Sequence, residues 1–274
     1  MADVAAIRSP DIKKQSGFAF IAGSCIAVLY LPMLVVIAYS FNSANNLGAK
    51  WHGFTSNWYN VVLANTEFYD STILSLIVAA AATLISTVLA TAAALGTTRG
   101  RPWRGQGSAY LAITTPLVVP EIVTGISLLS LFAFLSTVTG IDLGIWKLIL
   151  AHSAFCIPFA YLPIRARLEG MDTTLDNAAA DLYATPWKTF RYVTMPLLVP
   201  GISSGAALAF IVSFDDFTIT QLIAGPGETT LPLYIWGRIR RTLTPELNAM
   251  CTLLLLISLA FIVLSFILSH RRRA

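Results

Sequence analysis

Six apolar runs, each close to the length that crosses a bilayer, constrain this chain more than any other feature. A helix spans the hydrocarbon core in roughly 20 residues, and runs of that order lie at about 18–41, 72–98, 108–135, 145–163, 197–223 and 247–268. They do not alternate in ten-residue units, so they predict helices and not barrel strands. Composition agrees: 56% of the residues are hydrophobic and 12% charged, against roughly 25% charged in a soluble domain. Pro158 and Pro163 shorten the fourth run. The first exceeds the roughly 7–15 apolar residues of a secretory signal and no small-residue cleavage site follows it, so it reads as a retained helix. The expected fold is an all-α membrane protein of six transmembrane helices, with 1–274 as a single membrane domain.

Lysine and arginine placement orients the spans. With the N-terminus inside, the cytoplasmic segments carry Arg8, Lys13, Lys14, Arg99, Arg101, Arg104, Arg165, Arg167, Lys188, Arg191 and Arg271 to Arg273. The outer segments carry Lys50, Lys147, Arg238, Arg240 and Arg241. Both termini are then cytoplasmic, and the net charge of +4 reflects membrane orientation, with no nucleic-acid partner implied. Cys25, Cys156 and Cys251 are far apart and read as small buried hydrophobes, with neither metal nor disulfide spacing. The histidines are scattered, and the sequence has no phosphate-binding loop, HExxH or nucleophile elbow. The spans hold no nucleophile–base or metal constellation, which leaves an intramembrane enzyme without support.

Two features break the apolar pattern. In "AFIVSFDDFTITQLIAG" (209–225) Asp215 and Asp216 interrupt the fifth run. A carboxylate at the bilayer centre costs on the order of 2.5–3.5 kcal/mol on insertion scales. Three placements offset that cost: a wetted helix end, an ion pair or helix cap, or a water-filled cation pathway. Counting 1.5 Å per residue from Leu197 puts Asp215 roughly 27 Å along a continuous helix, near the outer boundary. Glu121, inside the third run directly after Pro116 and Pro120, favours a pathway: the prolines loosen the helix and free carbonyls that suit an organic ammonium. Neighbouring helical residues point about 100° apart, so one aspartate faces a pathway while the other pairs or caps. Phe214, Phe217 and Trp236 are candidate walls.

The cytoplasmic loop "EGMDTTLDNAAADLYATPWKTFRYVTMPLLVPG" (169–201) is too patterned for a connector. Thr173 or Thr174 caps a helix with Asp176 in its first turn. Leu175, Ala178, Ala179 and Leu182 form one small-residue face. Thr185 and Pro186 start a second helix that sets Trp187, Phe190 and Val193 on one side and ends at Pro196. The stretch Asn177-Ala178-Ala179-Ala180-Asp181-Leu182-Tyr183-Ala184-Thr185, with "FRYVTMP" after it, resembles the EAA loop of binding-protein-dependent ABC importer permeases. Asn177 stands where that family has Glu and Tyr183 where it has Gly. Hence no acid is available at 177, and a left-handed backbone at 183 is not expected, since Tyr pays a steric penalty there.

"FTSNWY" (54–59), "PLVVPEIVTGISLL" (116–129), "SFDD" (213–216) and "GPGETTLPLYIW" (225–236) narrow the resemblance to the polyamine importer permeases. It implies a type I importer permease (MetI-like) fold in a bacterial inner membrane. It also implies a second homologous permease, a cytoplasmic ATPase dimer that holds ATP and Mg, and a periplasmic polyamine-binding protein. The permease itself would carry no cofactor and no metal. The loop at about 173–195 would couple to the ATPase, and specificity would rest mainly with the binding protein. Glu121, Asp215 and Asp216 would serve a cation path, most simply for putrescine. Spermidine or another amine fits the same acids, and an ATPase-independent secondary transporter or channel is the alternative of a different class. Trp51, Trp58 and Tyr59 suit an interfacial helix or a binding-protein footprint.

Overall fold

The computed structural model describes residues 16–46, 50–100, 103–241 and 244–270; Arg8, Lys13, Lys14, Arg101 and Arg271 to Arg273, used above for orientation, lie outside them. The order is α1 (Ser16–Tyr39), α2 (Asn57–Leu63), α3 (Thr66–Thr98), α4 (Gln106–Thr114), α5 (Glu121–Thr139), α6 (Ile145–Glu169), α7 (Thr174–Asp181), α8 (Pro186–Thr189), α9 (Met195–Phe214), α10 (Thr218–Ile223), α11 (Leu231–Arg241) and α12 (Glu246–His270). Six helical spans among the described residues are long and apolar enough to cross a membrane.

Three of them, α3, α6 and α9, form the centre. Without water between helices, close approach of backbones supplies much of the association energy in lipid, so small residues collect at the contacts. Ala79, Ala82, Ala90 and Ala94 line the inner face of α3 and are fully buried. On α9, Gly201 meets Arg167 and Gly205 meets the backbone of Ala160 on α6. A Cβ at 205 would sit 2.6 Å from the Ala160 carbonyl oxygen. Gly205→Ala is therefore expected to push α6 and α9 apart and destabilise the fold by about 1–3 kcal/mol, read as a lower thermal midpoint of the detergent-solubilised protein. A second apolar cluster joins α2, α3, α9, α11 and α12 through Val62, Phe68, Phe210, Leu231 and Met250. Among the described residues, helix α1 packs mainly against α12 and exposes most of its apolar surface, as suits a lipid-facing helix.

Several boundaries differ from expectation. Pro158 and Pro163 do not shorten the fourth span, which runs unbroken from Ile145 to Glu169. Packing between α3 and α9 tolerates the lost backbone bonds, as is usual in membrane helices. Nor does Pro196 end a helix: Pro186–Phe214 forms one continuous helical span. A π-helical turn, Phe190–Thr194, lies just before it, and its wider turn, closed by Met195 N–H to the Phe190 carbonyl, leaves room for the proline ring. The third run breaks at a short 3₁₀ turn, Thr115–Leu117, so Glu121 opens α5 instead of sitting within a helix. The fifth run breaks after Phe214 and restarts at Thr218. Of the cysteines, Cys156 is buried, Cys251 half-buried and Cys25 exposed on α1, so the buried reading fails for Cys25.

On the connection between α1 and α3, Trp58 lies in α2 and its indole N–H donates to the Asn42 carbonyl at 2.8 Å. Tyr59 bonds to Ser40 at 2.6 Å. Trp51 meets Tyr39 edge-on with centroids 6.2 Å apart and stays half-exposed.

Candidate functional site

The two broken spans meet at one cavity of about 410 Å³, lined by Glu121, Phe155, Phe159, Asp215, Asp216 and Phe217 among others. Among the described residues, no lysine or arginine lines it. Asp215 ends α9, its N–H still bonded to the Ile211 carbonyl at 3.0 Å. Its side chain is exposed to the cavity, and the Ser258 hydroxyl donates to it at 3.3 Å. Helix α10 follows two residues on, so the acid stands at an interruption with helix on both sides, not at a free helix end. Glu121 reaches the same space from the first turn of α5, which Pro120 leads into.

Asp216 has a different role. It is 8% exposed, and its carboxylate accepts from Ile219 N–H at 3.2 Å, Thr220 N–H at 2.9 Å and the Thr220 hydroxyl at 3.0 Å. It caps α10. Both aspartates border the cavity, but they divide in role at the break between α9 and α10: Asp215 is exposed to the cavity, whereas the Asp216 carboxylate is buried and bonded to the start of α10. Sequence reasoning missed His152, which lies beside Asp216 with Nε2 3.5 Å from its carboxylate. Its only signal in sequence was a lone histidine inside an apolar span.

The aromatic candidates separate. Phe217 lines the cavity and meets Trp236 at 5.1 Å between centroids. Trp236 belongs to a neighbouring cavity of about 300 Å³ with Phe217, Ile235 and Cys251. Phe214 is no wall: it is 1% exposed and packs with Phe210 in the second core cluster, one residue's turn away from Asp215. Phe155 and Phe159, both from α6, take the place given to Phe214. A larger cavity of about 740 Å³ lies between α3 and α11. Glu67 and Asp70 there face Arg238 and Arg241, so its formal charges cancel, which suits a cation less well.

The loop between α6 and α9 is moored on one side. Arg99, at the end of α3, pairs with Asp176 of α7 and donates to the Met171 carbonyl at 3.3 Å. The Thr194 hydroxyl donates to Asp176 at 3.2 Å. Thr185 caps α8 as expected, accepting from Lys188 N–H at 3.4 Å. Thr173 precedes α7 but makes no side-chain cap bond. Asp172 accepts from Thr174 N–H at 2.9 Å instead, a bond that holds its carboxyl below the ordinary carboxylate range.

Tyr183 corrects the expectation drawn from its steric penalty, because it adopts φ +58°. Tyr183 N–H bonds to the Ala180 carbonyl at 2.9 Å and Ala184 N–H to the Ala179 carbonyl at 3.0 Å. These are the two bonds of a Schellman motif, which satisfies the end of α7 and offsets the roughly 1–2 kcal/mol of a left-handed non-glycine residue. The small-residue face splits here. Ala179 is buried, not offered to a partner, whereas Leu182 and Tyr183 (95% exposed) project outward with Asn177, Ala178, Asp181 and Thr185. Ala184 is half-buried. Trp187 is exposed and packs its ring 5.7 Å from Phe190.

A cavity at two broken spans and, at the opposite end of α9, a moored amphipathic loop suit a membrane transport subunit. Residues 86–271 match the binding-protein-dependent transport system inner membrane component family, and the chain belongs to it. Among relatives, it is 40% identical over 229 residues to the putrescine transport system permease protein PotI of Escherichia coli K12, covering 83% of this chain and 81% of that protein. It is 34% identical over 257 residues to the spermidine/putrescine transport system permease protein PotC of Haemophilus influenzae, covering 94% and 96%. Solved structures share the fold. A bacterial ABC transporter that imports the acidic polysaccharide alginate matches with a TM-score of 0.71 at 15% identity, over 93% of this chain and 94% of that one. The inward-facing MetNI methionine ABC transporter matches with 0.65 at 14%, over 75% and 95%.

Proposed function

We propose that the chain is one permease subunit of an ATP-driven importer that carries a polyamine, putrescine foremost, into a bacterial cytoplasm. The observation that carries this reading is the shared cavity of Glu121, Asp215 and Asp216, with three phenylalanines and, among the described residues, no basic residue in its lining. Carboxylates attract the ammonium groups and ring faces receive a desolvated organic cation. The relatives' names point to the same substrate class, with spermidine the second candidate. The reading sets 1–274 as one membrane domain with cytoplasmic termini, paired with a second permease. A cytoplasmic ATPase dimer holds ATP and Mg, and a periplasmic binding protein delivers the amine.

Energy reaches the path through the loop at about 173–195. Leu182, Tyr183 and Trp187 offer an apolar contact to the ATPase, flanked by Asn177, Ala178, Asp181 and Thr185. Movement of the docked ATPase biases an inward-open against an outward-open state, by as much as its differential affinity for the two. Release into the cytoplasm requires that affinity in the cavity stay modest.

The test is uptake of labelled putrescine by cells that lack other polyamine importers and express the chain with its partners. The expected result is uptake that needs the ATPase and is competed by spermidine but not by butanediol. Uptake that persists with the ATPase gene deleted would assign the chain to the secondary transporters.

A further inference from the structure

Around the break in the fifth span, four polar side chains from three helical elements are buried together. His152 of α6 is 2% exposed. Its Nδ1 lies 2.8 Å from the Ser213 hydroxyl of α9 and its Nε2 3.0 Å from the Thr220 hydroxyl of α10. Thr220 gives its single hydroxyl proton to the Asp216 carboxylate, which only accepts. It must therefore receive the Nε2–H of His152, and Nδ1 in turn receives the Ser213 proton. One proton arrangement satisfies Ser213, His152, Thr220 and Asp216 in series. A fully satisfied buried network of this kind rigidifies the elements it joins.

The network also reaches the second carboxylate. Helix α10, which Asp216 caps, packs against α5. Gly125 of α5 admits Leu222 of α10 so closely that a Cβ there would lie 2.5 Å from the Leu222 Cδ1. Glu121 opens α5 one turn before Gly125, and Asp215 immediately precedes the capped turn. We infer that His152 and Asp216 are positioning residues which, through α10 and the Leu222–Gly125 contact, fix the spacing of Asp215 and Glu121 and so select the chain length of the diamine accepted. Asp216 borders the cavity too, but its carboxylate is buried and spent on Ile219 and Thr220, so its part is to position and not to hold the cation. This rests on the cation-site reading above.

The test uses proteoliposomes that contain the complete transporter, at saturating loaded binding protein so that delivery is equal. Maximal import rates are compared for propane-, butane- and pentane-α,ω-diamine. A fixed apolar site discriminates one methylene by about tenfold or more. His152→Leu, Asp216→Ala and Gly125→Ala are each expected to change the ratio of rates between diamines by about threefold or more, since small displacements of reacting groups have effects of this size. Asp216→Asn keeps a capping oxygen and is expected to hold the ratio closer to wild type than Asp216→Ala does. Gly125→Ala disturbs the spacing without touching the polar network, so the outcome does not hang on His152→Leu folding. The inference is overturned if these variants scale all three diamines by a common factor, or if Asp216→Asn loses import as fully as Asp215→Asn. Unchanged import in both Asp215→Asn and Glu121→Gln removes the cation site itself, and the inference with it.

Discussion

Asp215→Asn is expected to lower polyamine uptake by about 10- to 100-fold while the subunit's membrane level stays unchanged. Two unit charges about 4 Å apart attract by roughly 4 kcal/mol at an effective dielectric of 20. Asp215 is open to the cavity, so solvent screens part of that attraction, and about 1.4–2.8 kcal/mol of loss corresponds to the stated range. The fold has little at stake in the same change. The side chain has one weak partner, Ser258 at 3.3 Å, and Asn is nearly isosteric. Asp216→Ala behaves in the opposite way. It removes three hydrogen bonds from the start of α10 and leaves buried donors unsatisfied, at about 1–3 kcal/mol each. Its first symptom is less folded subunit. Uptake kinetics and quantitative blotting of the membrane fraction separate the two, and wild-type uptake by Asp215→Asn would return that acid to a solvated turn.

The same pair of aspartates shows how far the sequence could be read. Hydropathy placed all six spans, because apolar length depends on the bilayer and not on tertiary partners. Pro116 and Pro120 signal a loosened helix before Glu121, but the third run reads as continuous through them, and the break itself is seen only in the structure. The break at Asp215 was not marked by proline or glycine. It is made by Asp216 capping α10 and by His152, which bonds Ser213 from 61 residues earlier in the chain, and local patterning does not reveal such a pairing. Proline was a poorer guide elsewhere. Pro158, Pro163 and Pro196 all sit within helical spans, since packing between helices and a π turn absorb what an isolated helix could not. Tyr183 was misjudged for a related reason: its own φ preference was weighed, but the two Schellman bonds that close α7 were not.

Uncoupling is the second large effect expected, and it follows from the mooring of the cytoplasmic loop. Arg99 and Asp176 form the charged contact between α3, a central membrane helix, and α7, the first helix of the loop. Thr194 joins the same carboxylate from the π turn that leads into α9. In the proposed importer, a displacement of α7 by an ATPase would thereby be transmitted to two spans at once. Arg99→Leu leaves Asp176 partly buried with one remaining hydroxyl partner, and Asp176→Leu strands Arg99 on the Met171 carbonyl. Removal of one partner from a fully buried pair costs about 3–5 kcal/mol. This pair is partly exposed, with side chains at 15% and 30%, so solvent screening reduces the cost to about 1–2 kcal/mol. That is enough to shift a two-state equilibrium by about 5- to 30-fold. Each single variant is expected to retain ATP hydrolysis by the assembled complex, lose most of its stimulation by loaded binding protein, and import poorly. The exchange variant Arg99→Asp/Asp176→Arg restores opposite charges and should recover part of the stimulation, giving a coupling energy in the double-mutant cycle. Additive losses in that cycle, or full stimulation in both single variants, would leave the loop moored by its apolar contacts alone and would take the Arg99–Asp176 pair out of the coupling path.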